Sequence, residues 1–233
     1  MKKFLVFGDI HGRFDRLDQA ITKFKDLSSD YTFVFLGDYI DRGKESKEVL
    51  ELLIDLNKNR PETLFLMGNH EEFLMGFCDN NYLHKDSIFK NESKINLYNI
   101  WLRNGGNETI KSLKIDSNNF KIDKISHFIE FIDNNCNYIY LHKNLIFVHA
   151  GIDRYKPLDQ NTIEDFLWIR PPFGTEYQMN QLIIHGHTSK QTVIRNYTEN
   201  SINIDTRAYA DDGCLSVLEI SEDGKNQLIR TFN

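Results

Sequence analysis

The sequence predicts an α/β fold. Three observations carry that expectation: short apolar runs that each end in glycine and a polar residue, helix-period patterns between them, and a repeat of the unit. Lys3-Phe-Leu-Val-Phe-Gly8-Asp9, Thr32-Phe-Val-Phe-Leu-Gly37-Asp38 and Thr63-Leu-Phe-Leu-Met-Gly68-Asn69 follow one plan, their last residues 29 and 31 positions apart. That spacing suits one β-α-β step. Runs of four or five apolar residues bounded by glycine read as strands buried on both faces.

Taken in order, the first run is followed by Phe14, Leu17, Ile21, Phe24 and Leu27, one apolar face at helical spacing. Val49, Leu50, Leu53, Ile54 and Leu56 give a second such face after the second run. The first 80 residues therefore read β-α-β-α-β-α. Residues 79–98 are polar without a strong period and are expected to form a loop or weak helix over the site. Ile100, Trp101 and Leu102 close a helix that Asn104-Gly105-Gly106 is expected to stop. Helices follow over 107–113 and 123–133. Further strands are expected over Tyr138–Leu141, Leu145–Val148, Leu182–Ile184, Ile202–Ile204, Cys214–Ile220 and Gln227–Thr231. The last two, joined by Glu222-Asp-Gly-Lys225, form an antiparallel hairpin. No linker composition interrupts the chain, so residues 1–233 are read as one domain.

Composition excludes several classes. With 28 basic against 34 acidic residues the net charge is −6, which argues against nucleic-acid binding through bulk charge. Hydrophobic residues at 40%, with 13 Gly and 4 Pro, describe a chain able to bury a core. The three cysteines, Cys78, Cys136 and Cys214, are odd in number and widely spaced, neither a disulfide framework nor a thiolate zinc site. The apolar run after Lys2-Lys3 stops at Gly8, too short for a signal peptide, and no stretch suffices for a membrane span. A cytoplasmic location without membrane partners is expected.

Five strand ends carry chemistry: Asp9 and His11, Asp38 and Asp41, Asn69 and His70, His149, and His187. Open α/β sheets form their sites at the carboxyl ends of strands. Carboxylates, imidazoles and one amide make a mixed nitrogen and oxygen set, suited to Mn, Fe or Zn as divalent ions rather than to a soft copper site.

Gly8-Asp9-Ile-His11-Gly12, Gly37-Asp38-Tyr-Ile-Asp41-Arg42-Gly43, Gly68-Asn69-His70-Glu71, His149-Ala-Gly151 and Gly186-His187-Thr188 together resemble the signature of the calcineurin-like metallophosphoesterases, in the phosphoprotein phosphatase branch. The resemblance implies a four-layer α/β/β/α sandwich and a catalytic domain with two divalent ions, Mn2+ first, with Fe or Zn as alternatives. It implies that Asp9, His11 and Asp38 hold the first ion and that Asp38, Asn69, His149 and His187 hold the second. Ser189 stands where the wider superfamily often has a histidine ligand.

The same resemblance implies hydrolysis of a phosphomonoester by a hydroxide bridging two metals, with His70 as general acid and Asp41 behind it. It makes Arg42 and, within Leu167-Trp-Ile-Arg170, Arg170 the phosphate-binding arginines. The substrate implied is a serine or threonine phosphoprotein. A dinucleotide such as diadenosine tetraphosphate or another small phosphoester is the alternative, and a silent metal-binding scaffold the second. Dinucleotide hydrolases tend towards Asn-His-Asp, where this chain has Asn69-His70-Glu71.

Other positions are read more simply. His185 is expected to be structural or supporting; His84, His127 and His142 carry no motif. Trp101 to Asn107 is expected to serve packing. Arg207 departs from the Asp-Thr-Gly that the family usually has at Asp205-Thr206-Arg207. Either the loop avoids positive φ there, or the added charge shapes substrate choice.

Overall fold

The fold is given by a computed structural model, which describes residues 2–28, 30–78, 89, 92–116, 122–177, 179–225 and 227–233. Sheet formation starts from β1 (Lys3–Phe7), β2 (Tyr31–Phe35) and β3 (Leu64–Leu66), which are parallel, as the repeated runs require. Along β1 and β2 the side chains divide by pleat. Phe4, Val6 and Val34 face one way; Leu5, Phe7, Phe33 and Phe35 face the other. Both faces are covered, so an unbroken apolar run is what these strands need. Phe7, Phe35 and Phe65 occupy matched register positions on three strands and stack with ring centroids 4.4 and 5.3 Å apart.

The helices cover one face of this sheet. In α1 (Phe14–Phe24), Leu17, Ala20 and Phe24 are buried; in α2 (Ser46–Asn59), Val49, Leu50, Leu53 and Leu56 are. After β3 the chain enters α3 (Asn69–Cys78), α4 (Lys94–Trp101), α5 (Asn107–Ser112) and α6 (Ser126–Asn135) before β4 (Cys136–Asn137) joins β3 in parallel. The expected stop at Asn104-Gly105-Gly106 does not occur. A π-helical turn over Leu102–Gly106 connects α4 directly to α5, with Gly105 at φ +104°. Residues 79–88, and His84 with them, lie outside the described residues.

The second sheet comprises β5 (Ile139–His142), β6 (Leu145–Val148), β7 (Leu182–His185), β8 (Ile194–Asn196) and β9 (Ser201–Asn203), in the order β5-β6-β7-β9-β8. The hairpin β10 (Leu215–Ser221) and β11 (Gln227–Phe232) returns to the first sheet beside β1, giving β11-β10-β1-β2-β3-β4.

The two sheets face each other across Phe4, Val6, Val34, Leu36, Leu66, Phe147, Ile184, Ile202, Leu218 and their neighbours. This is the sheet-on-sheet core. The outer face of the second sheet is covered more thinly. Ile146, Val148, Ile152 and Ile183 pack there with Leu158, Phe166 and Met179, near α7 (Ile163–Trp168). Helices lie on the outside and two sheets inside, as the resemblance implied. The three cysteines are free, with Cys78 and Cys136 buried.

Candidate functional site

The carboxyl ends of β1, β2, β3, β6 and β7 meet at one end of the sandwich, and the expected side chains come with them. The backbone there is bent tightly. His11, Asp38, Asp41, Arg42 and His187 adopt φ of +51°, +54°, +71°, +66° and +62°. Non-glycine residues in this region are strained and persist only where their surroundings hold them. Glycine serves a different purpose nearby: a Cβ on Gly186 would collide with the Asp9 carboxylate.

Asp38 is at the centre. Its Oδ1 lies 3.4 Å from His149 Nε2, and its Oδ2 lies 3.4 Å from His11 Nε2 and 3.9 Å from His70 Nε2. Asn69 Oδ1 lies 3.0 Å from His149 Nε2 and 2.9 Å from His187 Nδ1. Two sets of donor atoms each converge within 4.8 Å: His11, Asp38 and His70, and Asp38, His149 and His187. Asp9 lies beside them, its carboxylate accepting the His187 backbone N–H at 3.1 and 3.3 Å. His70, expected as an acid rather than a ligand, thus falls geometrically among the first set, and Asp9 does not.

These residues fit divalent ions on a direct chemical test. His149 Nδ1 is 2.8 Å from the Leu36 carbonyl and must donate to it. A neutral ring then turns its Nε2 lone pair towards the Asn69 and Asp38 oxygens. Lone pair against lone pair is a poor arrangement that a cation turns into a favourable one. His11 is held in the same tautomer, with Nδ1 donating to the Ile40 carbonyl at 2.9 Å and the Nε2 lone pair, 3.4 Å from Asp38 Oδ2, taking an N–H from Arg42. His187 Nε2 is buried with no hydrogen-bond partner.

Titration behaviour agrees. Burial holds the His11, His149 and His187 imidazoles below their ordinary value, so they stay neutral and able to ligate. Burial, with the charges of Asp205 and Asp38, pushes Asp9 well above the usual carboxylate range. Burial would raise Asp38 too, but the ring of imidazoles around it, His149, His70, His11 and His187, holds it low.

His70 is set up differently. Its Nδ1 lies 2.6 Å from Asp41 Oδ2. Asp41 is buried and also accepts Trp101 Nε1–H at 3.0 and 2.8 Å and the Thr109 hydroxyl at 2.6 Å. Burial opposes a charged imidazole, yet the Asp38 charge and the Asp41 hydrogen bond prevail and raise His70 above its ordinary value.

Arg42 closes the site. Its guanidinium reaches His11 Nε2 at 2.9 Å and His70 Nε2 at 3.2 Å and lies 4.6 Å from the Tyr209 ring. Arg170 is exposed at the rim, 3.4 Å from the His187 carbonyl and 3.3 Å from Thr188 Oγ1.

Several contributors have roles that spacing alone does not assign. Trp101, expected to pack, and Thr109, which no motif includes, orient Asp41. Glu71 accepts the backbone N–H groups of Asp38, Tyr39 and Gly68 at 2.8, 2.8 and 3.0 Å, fixing two strand ends together. Asp205 accepts Ser189 Oγ–H at 2.7 Å. One of the two accounts of Arg207 is overturned: the loop does not avoid positive φ, since Arg207 adopts +61°. Its guanidinium pairs with Asp212 at 3.1 Å.

Comparison with known proteins follows the same direction. The calcineurin-like phosphoesterase family matches residues 2–201. The serine/threonine-protein phosphatase rdgC of Drosophila melanogaster is 45% identical over 71 residues, 30% of this chain and 11% of that protein. The serine/threonine-protein phosphatase PP1-delta of Caenorhabditis elegans is 40% identical over 68 residues, 29% of this chain and 22% of that protein. The matched region thus spans less than a quarter of either relative. Among solved structures, a protein assigned as a diadenosine tetraphosphatase superposes with a TM-score of 0.65 at 16% identity, covering 100% of this chain and 94% of its own.

Proposed function

The chain belongs to the calcineurin-like phosphoesterase family, and we propose that it is a hydrolase of phosphomonoesters, with serine or threonine phosphate on protein as the substrate. The observation that supports this most directly is a pair of neighbours. Asn69 Oδ1 faces the His149 Nε2 lone pair and the His187 Nδ1 atom, while His70, the next residue, is backed by a buried carboxylate 2.6 Å away. On this reading a metal ligand and a proton donor stand one residue apart, which suits hydrolysis with an alkoxide leaving group.

In this reading Asp9, His11 and Asp38 would hold one divalent ion, and Asp38, Asn69, His149 and His187 the other, with Mn2+ preferred. Bound there, the ions would supply Lewis-acid polarisation of the phosphoryl group and an acidified water. The chain's own residues supply the rest. His70 gives the proton from Nε2 to the leaving oxygen while Asp41 keeps Nδ1–H in place and favours the charged ring. Arg42 lies by His11 and His70 and Arg170 by His187 and Thr188, and each presents a planar fork suited to two phosphoryl oxygens. Asp41 in turn cannot rotate, because Trp101 and Thr109 occupy its remaining acceptor sites. The free, largely buried thiols suit a reducing, cytoplasmic setting.

A second reading has support of its own. The fold likeness to the diadenosine tetraphosphatase covers both chains nearly end to end. A panel of kcat/KM values with Mn2+ present separates the two, using phosphoserine, phosphothreonine and phosphotyrosine peptides, diadenosine tetraphosphate and a cyclic nucleotide. The phosphopeptides are expected to lead. A dinucleotide ahead by orders of magnitude would replace the substrate and keep the mechanism. Two bound metals with no hydrolysis of any ester would make the chain a scaffold.

A further inference from the structure

Tyr209, which no motif singled out, reaches the site from the segment after β9. Its ring lies 4.6 Å from the Arg42 guanidinium carbon and edge-on to His11 at 5.4 Å. Arg42 itself has φ +66°, so its own backbone is under strain, and stacking on an aromatic face is one of the few contacts that restrict its long side chain. Whatever places Tyr209 therefore bears on where the Arg42 fork points.

The residues that place it belong to the start of α1. Arg13 Nη1 and Arg16 Nη1 both donate to the carbonyl of Ala208, at 3.1 and 2.5 Å. Arg13 is tied to Asp15 by two further bonds, at 2.9 and 2.7 Å. Arg16 is 3% exposed and its Nε has no hydrogen-bond partner. A guanidinium so deeply placed without its own carboxylate is costly compared with an apolar side chain of similar length. On a helix whose buried face is otherwise Leu17, Ala20 and Phe24, packing alone gives no reason for it.

The loop it grips has little freedom left. Arg207 N–H donates to Asp205 Oδ1 at 3.0 Å, and Cys214 N–H donates to the Thr206 carbonyl at 3.1 Å. With both ends of the turn fixed, the Ala208 carbonyl is the point at which α1 sets the position of the next residue, Tyr209.

We propose that Arg16 and Arg13 are positioning residues for phosphate binding: through the Ala208 carbonyl they hold the Tyr209 ring against Arg42 and so fix its fork at the site. This rests on the reading of Arg42 as a phosphate contact. The test uses the metal-loaded enzyme and inorganic phosphate as competitive inhibitor. Arg13→Met/Arg16→Met and Tyr209→Leu should each raise the Ki for phosphate, and KM for a phosphopeptide, about tenfold, with kcat changed less than about threefold. Tyr209→Phe, which keeps the ring, should retain the wild-type Ki.

In a Tyr209→Leu background the arginine substitutions should add less than about twofold, because they act through the ring. Should Arg16→Met fail to fold, Arg13→Met alone in the two backgrounds provides the same cycle, with a smaller rise expected. A lowered Tm with a wild-type Ki, or effects that multiply in full, would overturn the proposal. Arg42→Ala distinguishes its failure from that of the underlying reading. If Arg42→Ala raises the Ki and the arginine variants do not, only the positioning role falls; if Arg42→Ala leaves the Ki unchanged, both fall.

Discussion

His70 shows how much one hydrogen bond can decide. Its ring lies among atoms that could hold a metal, yet its Nδ1 is committed to a carboxylate that Trp101 and Thr109 hold still. His70→Asn should therefore lower kcat on an alkyl phosphomonoester by about 10²–10⁴ while metal content, read by elemental analysis, stays near wild type. Equal loss of both would return His70 to the ligands. At this scale the sequence was most informative where a side chain follows a strand directly. Asp9, Asp38, Asn69, His149 and His187 each stand within three residues of a strand end, so pattern alone located them. Trp101, Thr109 and Tyr209 act from across the fold at about 60 to 200 positions' remove, and no spacing rule reaches that far. Arg207 is a third kind: its strain could be read only from the backbone, where an arginine takes the conformation expected of glycine.

Among the elements, long apolar periods were legible and short ones were not. α1, α2 and the runs of β1 to β3 appear where expected, because burial on a fixed period marks them. α7 has six residues and β8 three, too few to show a period. The Thr162–Asp165 capping box before α7 was the available signal. The π-helical turn is the instructive case. Its glycines do break the α-helical pattern, but the chain goes on into α5 because Gly105 must come close to Arg42. The Gly105 carbonyl accepts the Arg42 N–H at 3.2 Å, and a Cβ there would lie 2.7 Å from Arg42 Cγ. Gly105→Ala combines that clash with a backbone at φ +104° and should cost about 1–3 kcal/mol of stability. Urea unfolding measures the loss, and a raised KM for phosphopeptide should accompany it through the displaced arginine.

For the molecule as a whole, stability is tied to acid through His185. It lies at the end of β7, fully buried, and burial pulls its imidazole from 6.5 down to about 4. As pH falls below 6.5 the unfolded chain takes up this proton and the folded chain does not, so stability is present above 6.5 and is lost towards 4. Between pH 7 and 5 this group should account for about 2 kcal/mol of lost unfolding free energy. The difference between wild type and His185→Gln in urea titrations with chelator present isolates it, and parallel pH profiles would refute it. No helix among the described residues is long and apolar enough to cross a membrane. The centre draws Asp9, Asp38 and Asn69 from one sheet and His149 and His187 from the other. Its donor distances are therefore also a measure of how the sheets sit on each other. An ångström of shear across Phe4, Leu36 and Phe147 would reach the site as a change in those donor distances, with no residue of the site itself altered. The site thus works as a strain gauge at one end of the sandwich, and ions seated across it would act as a rivet through both sheets.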